Sequence, residues 1–229
     1  MTVDLVITDA DALDAHSFRT LKSLLPHERQ KRSDRYDRRV DRYTSVVAFA
    51  QLQKLWAERH HGPLPTITVG RFGKPKFSTD TGLHFNWSHD SALCACALAP
   101  TPVGVDISGP VPFEQDLFHY MAAPRERRLG AHLQRKNDLS ALWTRKEATV
   151  KRTGLGLTMP LRQVDTTTAE DILTFTCEAM GFQVSLSVQG LTADVLRDLL
   201  RVRFLTPRPP ATWLEGPRHP LRQLTPTLT

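Results

Sequence analysis

The sequence predicts an α/β fold, of the α+β kind, in two lobes of similar size. Pattern order is the main reason: a helical stretch leads into a β-rich one, and the succession restarts near Pro100–Val103. Length is the second: 229 residues can bury a sizeable core, as one large domain or as two smaller lobes. Composition is the third, since 40% hydrophobic and 24% charged residues exclude a disordered, collagenous or membrane chain. The expected divisions are residues 1–102, 103–206 and a Pro-rich arm at 207–229.

The elements follow in order. Residues 2–8 alternate as a strand, and Asp14 is placed to cap a helix carrying Phe18, Leu21, Leu24 and Leu25. Residues 26–42 hold seven basic and four acidic side chains, and a helical stripe follows through Val46, Val47, Phe49, Ala50, Leu52 and Leu55. His60-His61-Gly62-Pro63 ends that helix, because Gly and Pro extend it poorly. Ile67 and Val69 alternate, Gly73-Lys74-Pro75 turns, and residues 85–87, 93–98 and 103–107 read as strands. Helical patterns return at 113–121, 124–134 and 137–152, then two strands near 171–179 and 181–189 meet at Met180-Gly181. Six of the 16 prolines fall from Pro207 onward, which predicts an extended arm, surface-packed or partly disordered.

Charge narrows the partners. Thirty Lys and Arg against 24 Asp and Glu give +6 at neutral pH, favouring an anionic partner: nucleic acid, a phosphorylated cofactor or an acidic protein. No apolar run approaches the ~20 residues of a membrane span. The start carries Asp4 and Asp9 rather than a basic leader, so no secretory signal is expected. Three cysteines make no disulfide framework, and a cytoplasmic chain is the expectation.

Four short motifs can carry chemistry. In Gly73-Lys74-Pro75 a rigid turn projects an ammonium. In Phe85-Asn86-Trp87-Ser88-His89 an extended segment ends in a hydroxyl and an imidazole suited to a phosphate. No Gly-x-Ser-x-Gly elbow surrounds Ser88, which argues against a hydrolase nucleophile. In Gly104-Val105-Asp106-Ile107-Ser108 an acid follows a hydrophobic strand, with Ser108 on the same side by period two. In Trp143-Thr144-Arg145-Lys146-Glu147-Ala148, continuing to Lys151, Gly154 and Gly156, positions 143, 147 and 151 share a helix face. Each has a plain structural reading: a turn, a satisfied histidine, a turn-forming acid, an i,i+4 pair with a glycine cap.

Their order is more specific than any one of them. Gly-Lys-Pro, Phe-Asn-x-Ser-His, Gly-Val-Asp-Ile and Trp-x-x-Lys-Glu-Ala-x-x-Lys-x-x-Gly-x-Gly, spread over residues 70–157, closely resemble the 4′-phosphopantetheinyl transferases of the surfactin-synthetase-activating type. The resemblance implies two pseudo-symmetric lobes with the active site between them. It implies transfer of the phosphopantetheine arm of coenzyme A to a serine of an acyl or peptidyl carrier protein, with Mg²⁺, releasing 3′,5′-ADP. The acceptor would belong to fatty-acid, polyketide or non-ribosomal peptide synthesis.

By motif match, Asp106 and Glu147 would hold the metal, with Ser108 as a neutral ligand, and Lys151 would pair with the diphosphate. Lys74, Pro75, Ser88 and His89 would surround the adenosine end and its 3′-phosphate, with Arg42 and Lys31 adding charge. Glu126 resembles a further acidic position, and Glu147 or Glu126 would be the base, directly or through a water. The departure is Ser108, where such proteins commonly carry an acid, so one negative ligand is missing and two carboxylates must suffice. The expected protein is a monomer that binds neither nucleic acid nor membrane. The alternative is a non-catalytic anion- or nucleic-acid-binding module using the Arg-rich 29–42 stretch. Against it, no nucleic-acid motif is present and no aromatics interleave with that run.

Overall fold

A computed structural model describes residues 1–208, 212–216 and 219–224. The first half builds β1 (Val3–Asp9), α1 (Ala15–Ser23), α2 (His27–Asp34), α3 (Arg39–Arg59), β2 (Ile67–Val69), β3 (Pro75–Phe77), β4 (His84–Asp90) and β5 (Leu93–Ala99). The second builds β6 (Val103–Ser108), α4 (Gln115–Met121), α5 (Gly130–Lys136), α6 (Ser140–Thr153), β7 (Ile172–Cys177) and β8 (Phe182–Val188). Then come α7 (Ala193–Leu199), β9 (Leu200–Arg208), β10 (Thr212–Glu215) and β11 (Arg222–Leu224).

One pairing plan is used twice. In the first sheet β1 pairs antiparallel with β5, which pairs antiparallel with β4; in the second β6 pairs with β8, and β8 with β7, in the same sense. A long helix intervenes each time, α3 packing over β5 and α6 over β6 and β8. The full orders are β10-β9-β1-β5-β4 and β11-β7-β8-β6.

Strand periodicity explains how the sheets meet. Val3, Leu5, Ile7, Ala95, Ala97 and Ala99 of the first sheet share one apolar core with Val103, Val105, Ile107, Val184 and Leu186 of the second. The alternate residues of β1 and β5, Val6, Cys96 and Leu98, pack with Leu52 and Leu55 of α3. The alternate residues of β6 are Gly104, Asp106 and Ser108. Thr174 and Ser185 of the neighbouring strands hydrogen-bond each other, and Ser185 also bonds Thr144 of α6. Where edges β4 and β6 adjoin, Val105 N–H donates to Asn86 Oδ1 at 2.9 Å.

Three features go beyond the elements read from the sequence. The charged run is interrupted between α2 and α3 at residues 35–38. Residues 193–208, given no element by pattern, form α7 and β9, and β9 joins β1 in parallel. Charge pairing holds it there: buried Asp4 accepts from Arg59 and, at 2.7 Å, from Arg201, while Arg203 makes a two-pronged pair with Glu58. From 207 onward, the described residues include β10 on β9 and β11 on β7. Residues 209–211, 217–218 and 225–229 of the expected arm lie outside the described residues.

Candidate active site

The site is built where α6 crosses β6. Gly104 permits that crossing: a β-carbon there would lie 2.0 Å from the Ala148 carbonyl oxygen and 2.3 Å from Arg152 N. With the helix this close to the strand, Lys151 reaches Asp106. Its ammonium is 2.5 Å from Asp106 Oδ1 and 2.8 Å from Ser88 Oγ. Ser88 Oγ in turn donates to Asp106 Oδ1 at 2.7 Å. Three sequence motifs thus meet in one triangle.

Asp106 is only 5% exposed, and its second oxygen, Oδ2, is buried without a hydrogen-bond partner. Burial pushes the Asp106 carboxyl above the usual range, while Lys151 and Ser88 pull it back. Glu147, one turn before Lys151, has no side-chain hydrogen bond among the described residues. It too is raised, by partial burial first and by Asp106 last, with Lys151 opposing.

Three adjoining cavities surround this triangle. The first, about 580 Å³, is lined by Asp90, Asp106, Ser108, Glu147 and Lys151, with an apolar wall of Pro110, Val111, Pro112, Leu117 and Trp143. A second, about 290 Å³, shares Glu147 and Lys151 and is walled by Phe72, Pro75, Trp87, Tyr120 and Met159. The third, about 250 Å³, holds Arg29, Arg32, Tyr36, Pro75, Trp87 and His89. His89 therefore faces both the first and the third. Its imidazole sits below the ordinary histidine value, because surrounding protein and then Lys151 disfavour its charge.

The other expected residues divide. Lys74 is half-buried in the second cavity, where its ammonium donates to Val103 O at 2.9 Å and Arg152 O at 3.0 Å. It ties the turn to the start of β6 and the end of α6, and burial lowers its pKa to about 8. Ser108 lines the first cavity, its hydroxyl 3.0 Å from Gly109 O and 3.4 Å from Asp90 Oδ2.

Lys31, Arg42 and Glu126 lie away from these cavities. Lys31 is exposed, and neither it nor Arg42 lines any of the three cavities; Arg29 and Arg32 do so instead. For Lys31 helical phase is the reason, since residues 29 and 32 of α2 share one face and 31 turns from it. Arg29 stacks 4.7 Å from the Phe49 ring and 5.2 Å from that of Trp87. The i,i+3 spacing of Arg29 and Arg32 is the sequence signal that marked this face.

Glu126 is fully buried and outside the three cavities. It pairs with buried Lys146 at 2.6 Å and accepts from Ala123 N, Thr166 N and Thr166 Oγ1. These bonds satisfy its carboxylate within the interior packed around α6. Lys146, beside Glu147 in the motif, is part of this internal network, as is buried Arg145 through Thr166 O at 2.6 Å.

Residues 102–196 match the family model of the 4′-phosphopantetheinyl transferase superfamily. That stretch is similar to a domain of that superfamily. Its resemblance extends to the 4′-phosphopantetheinyl transferase gsp of Aneurinibacillus migulanus, 28% identical over 158 residues, 65% of this chain and 64% of that protein. The transferase Sfp of Bacillus subtilis (strain 168) is 23% identical over 61% of this chain and 64% of its own length. The transferase AcpT of Salmonella typhi is 34% identical over 51% and 63% respectively. The matches span just under two thirds of each of these three relatives. The superfamily match covers Asp106, Glu126, Glu147 and Lys151, while Lys74, Ser88 and His89 lie before it.

The donor set fits a hard divalent cation. Asp106 Oδ2 is a buried oxygen without a partner, and Glu147 is an unbonded carboxylate in the same cavity. Among the described residues no three Asp, Glu, His or Cys side chains converge on one point. Mg²⁺ commonly uses one or two carboxylates and completes its shell with phosphate oxygens and water. No helix among the described residues is long and apolar enough to cross a membrane.

Proposed function

We propose that this chain transfers the 4′-phosphopantetheine arm of coenzyme A to a serine hydroxyl of a carrier protein, with Mg²⁺, releasing 3′,5′-ADP. The observation that carries the reading is the Asp106–Lys151–Ser88 triangle beside unbonded Glu147, at the junction of an anion-binding cavity and two partly apolar ones. The chain's resemblance to named transferases supports it. So does the chemistry, because phosphoryl transfer relies on positioning and charge neutralisation more than on covalent help from the enzyme.

The cavities sort the parts of the cofactor by chemistry. The 3′-phosphate is received by Arg29, Arg32 and His89, and the adenine lies against the aromatic and proline walls of Trp87, Phe72 and Pro75. Lys74 shapes this turn through its two carbonyl bonds rather than as a free charge. The diphosphate falls at the junction shared by Glu147 and Lys151, where the Lys151 ammonium keeps one N–H beyond its two bonds. The pantetheine arm leaves along Val111, Pro112, Leu117 and Trp143.

Asp106 and Glu147 would hold Mg²⁺, which when bound neutralises the diphosphate and polarises its phosphorus. Glu147, a carboxylate without a hydrogen bond in the cavity, takes the proton of the incoming serine, and the burial of Glu126 against Lys146 supports Glu147 over it. The serine oxygen forms a bond to the phosphorus that bears pantetheine, and the bond from that phosphorus to 3′,5′-ADP breaks. The test is mass spectrometry of an apo carrier protein incubated with the chain, coenzyme A and Mg²⁺. The expected result is one phosphopantetheine added at the acceptor serine; an unchanged mass with carrier proteins of all three pathway types overturns the reading.

A further inference from the structure

We infer that Asp90 supplies, from the neighbouring strand, the negative charge that position 108 does not carry, so that the cation site is completed by Asp90 and Ser108 together. The inference rests on the transferase reading, but adds a residue, Asp90, outside the four motifs. Asp90 ends β4 and Ser108 ends β6, and the two line the same cavity. Asp90 Oδ2 accepts from Gly109 N at 2.7 Å and faces Ser108 Oγ at 3.4 Å. Its other oxygen, Oδ1, has no hydrogen bond among the described residues. The cavity holds an independent observation that points to a cation: Asp106, 5% exposed, presents a buried Oδ2 with no hydrogen-bond partner among the described residues.

The division of labour follows from atom types. A serine hydroxyl has one proton and two lone pairs; with Gly109 O or Asp90 taking the proton, the lone pairs are free for a cation or its water. It brings no charge. Asp90 brings one, fixed by the Gly109 N–H in the cavity that Asp106 also lines. Asp90 acts as a positioning residue and a nearby charge, consistent with the absence of three convergent acidic ligands among the described residues.

The probe is Mn²⁺ alone, titrated into the full chain without coenzyme A and followed by electron paramagnetic resonance. Asp90→Asn keeps the shape and the Gly109 bond but removes the charge. It is expected to weaken Mn²⁺ binding about tenfold, as loss of a unit charge a few ångströms from a divalent ion should. Ser108→Glu placed in that background is expected to restore the affinity, a rescue that a merely turn-forming aspartate would not allow. In wild type the same Ser108→Glu change should gain less, because Asp90 already occupies that electrostatic role. Equal Mn²⁺ affinity in wild type and folded Asp90→Asn, or no recovery in the double variant, overturns the inference. Should Asp90→Asn melt below the assay temperature, the exchange variant Asp90→Ser with Ser108→Asp decides: wild-type-like affinity supports it, and lost affinity overturns it. Transfer to carrier protein is measured in parallel. Active chain with Asp90-independent Mn²⁺ binding defeats this inference alone, whereas Asp90-dependent binding without transfer defeats the transferase reading.

Discussion

Lys151 Nζ lies 2.5 Å from Asp106 Oδ1, joining the last turn of a helix to the middle of a strand 45 positions earlier. The pair leaves Asp106 Oδ2 unsatisfied and Glu147 free on the same side. Asp106→Ala and Glu147→Ala are each expected to fold and to lose transfer at least a hundredfold, ~2.7 kcal/mol of transition-state stabilisation. Steady-state kinetics on folded protein checks this; near-wild-type turnover in either variant removes that residue from the site.

Glu147 also predicts a pH signature. Its folded pKa is raised by burial, so its contribution to stability is full below the unfolded value of 4.5 and is lost as pH rises through the folded pKa. Glu147→Gln should therefore melt at or above the wild-type temperature at pH 7 while transfer falls. Thermal melts at pH 4.5 and pH 7 should show the variant's advantage only at the higher pH.

The basic cavity predicts which cations recognise the cofactor. Arg29→Ala and Arg32→Ala should weaken coenzyme A binding about tenfold, within what charge-assisted phosphate bonds contribute, and dephospho-coenzyme A much less. Lys31→Ala, on the exposed side of α2, should leave the ratio between the two ligands unchanged. Calorimetric titration of both ligands measures this, and a Lys31→Ala effect as large as that of Arg32→Ala would reverse the assignment.

The buried Glu126–Lys146 pair predicts a cost in stability rather than in chemistry. Glu126→Ala strands a buried ammonium and should cost about 3–5 kcal/mol of stability, the range for breaking such a pair from one side. Turnover per folded molecule, measured below the lowered melting temperature, should stay within a few-fold of wild type. A hundredfold loss in that assay would return Glu126 to the chemistry.

Lys74 predicts a pH effect of the opposite sense. Its pKa is lowered from 10.5 to about 8, so its stabilising contribution is present above 10.5 and lost as pH falls through 8. Wild-type stability should gain a rising increment between pH 8 and 10.5 that Lys74→Met lacks. The same variant leaves two carbonyls unbonded but removes the buried charge, so its stability deficit against wild type should be smaller at pH 7 than at pH 10.5. Denaturant unfolding across this pH range tests both statements.

The sequence by itself determined the repeated α-then-β order, the four motifs and the resemblance that they carry, because periodicity and short-range spacing are local properties. It placed Asp106 and Ser108 on one side of a strand, and Trp143, Glu147 and Lys151 on one face of a helix. Packing alone decided which polar residues of those motifs face the cleft. Lys146 and Glu147 are adjacent in the chain, yet about 100° of helical turn sends one into the interior against Glu126 and the other to the cavity. Arg29 and Arg32 rather than Lys31, Asp90 beside Ser108, and β9 beside β1 likewise depend on contacts between segments far apart in sequence. Gly104 shows why: the approach of α6 to β6 is set by an absent β-carbon, and only the folded backbone reveals what that carbon would have struck.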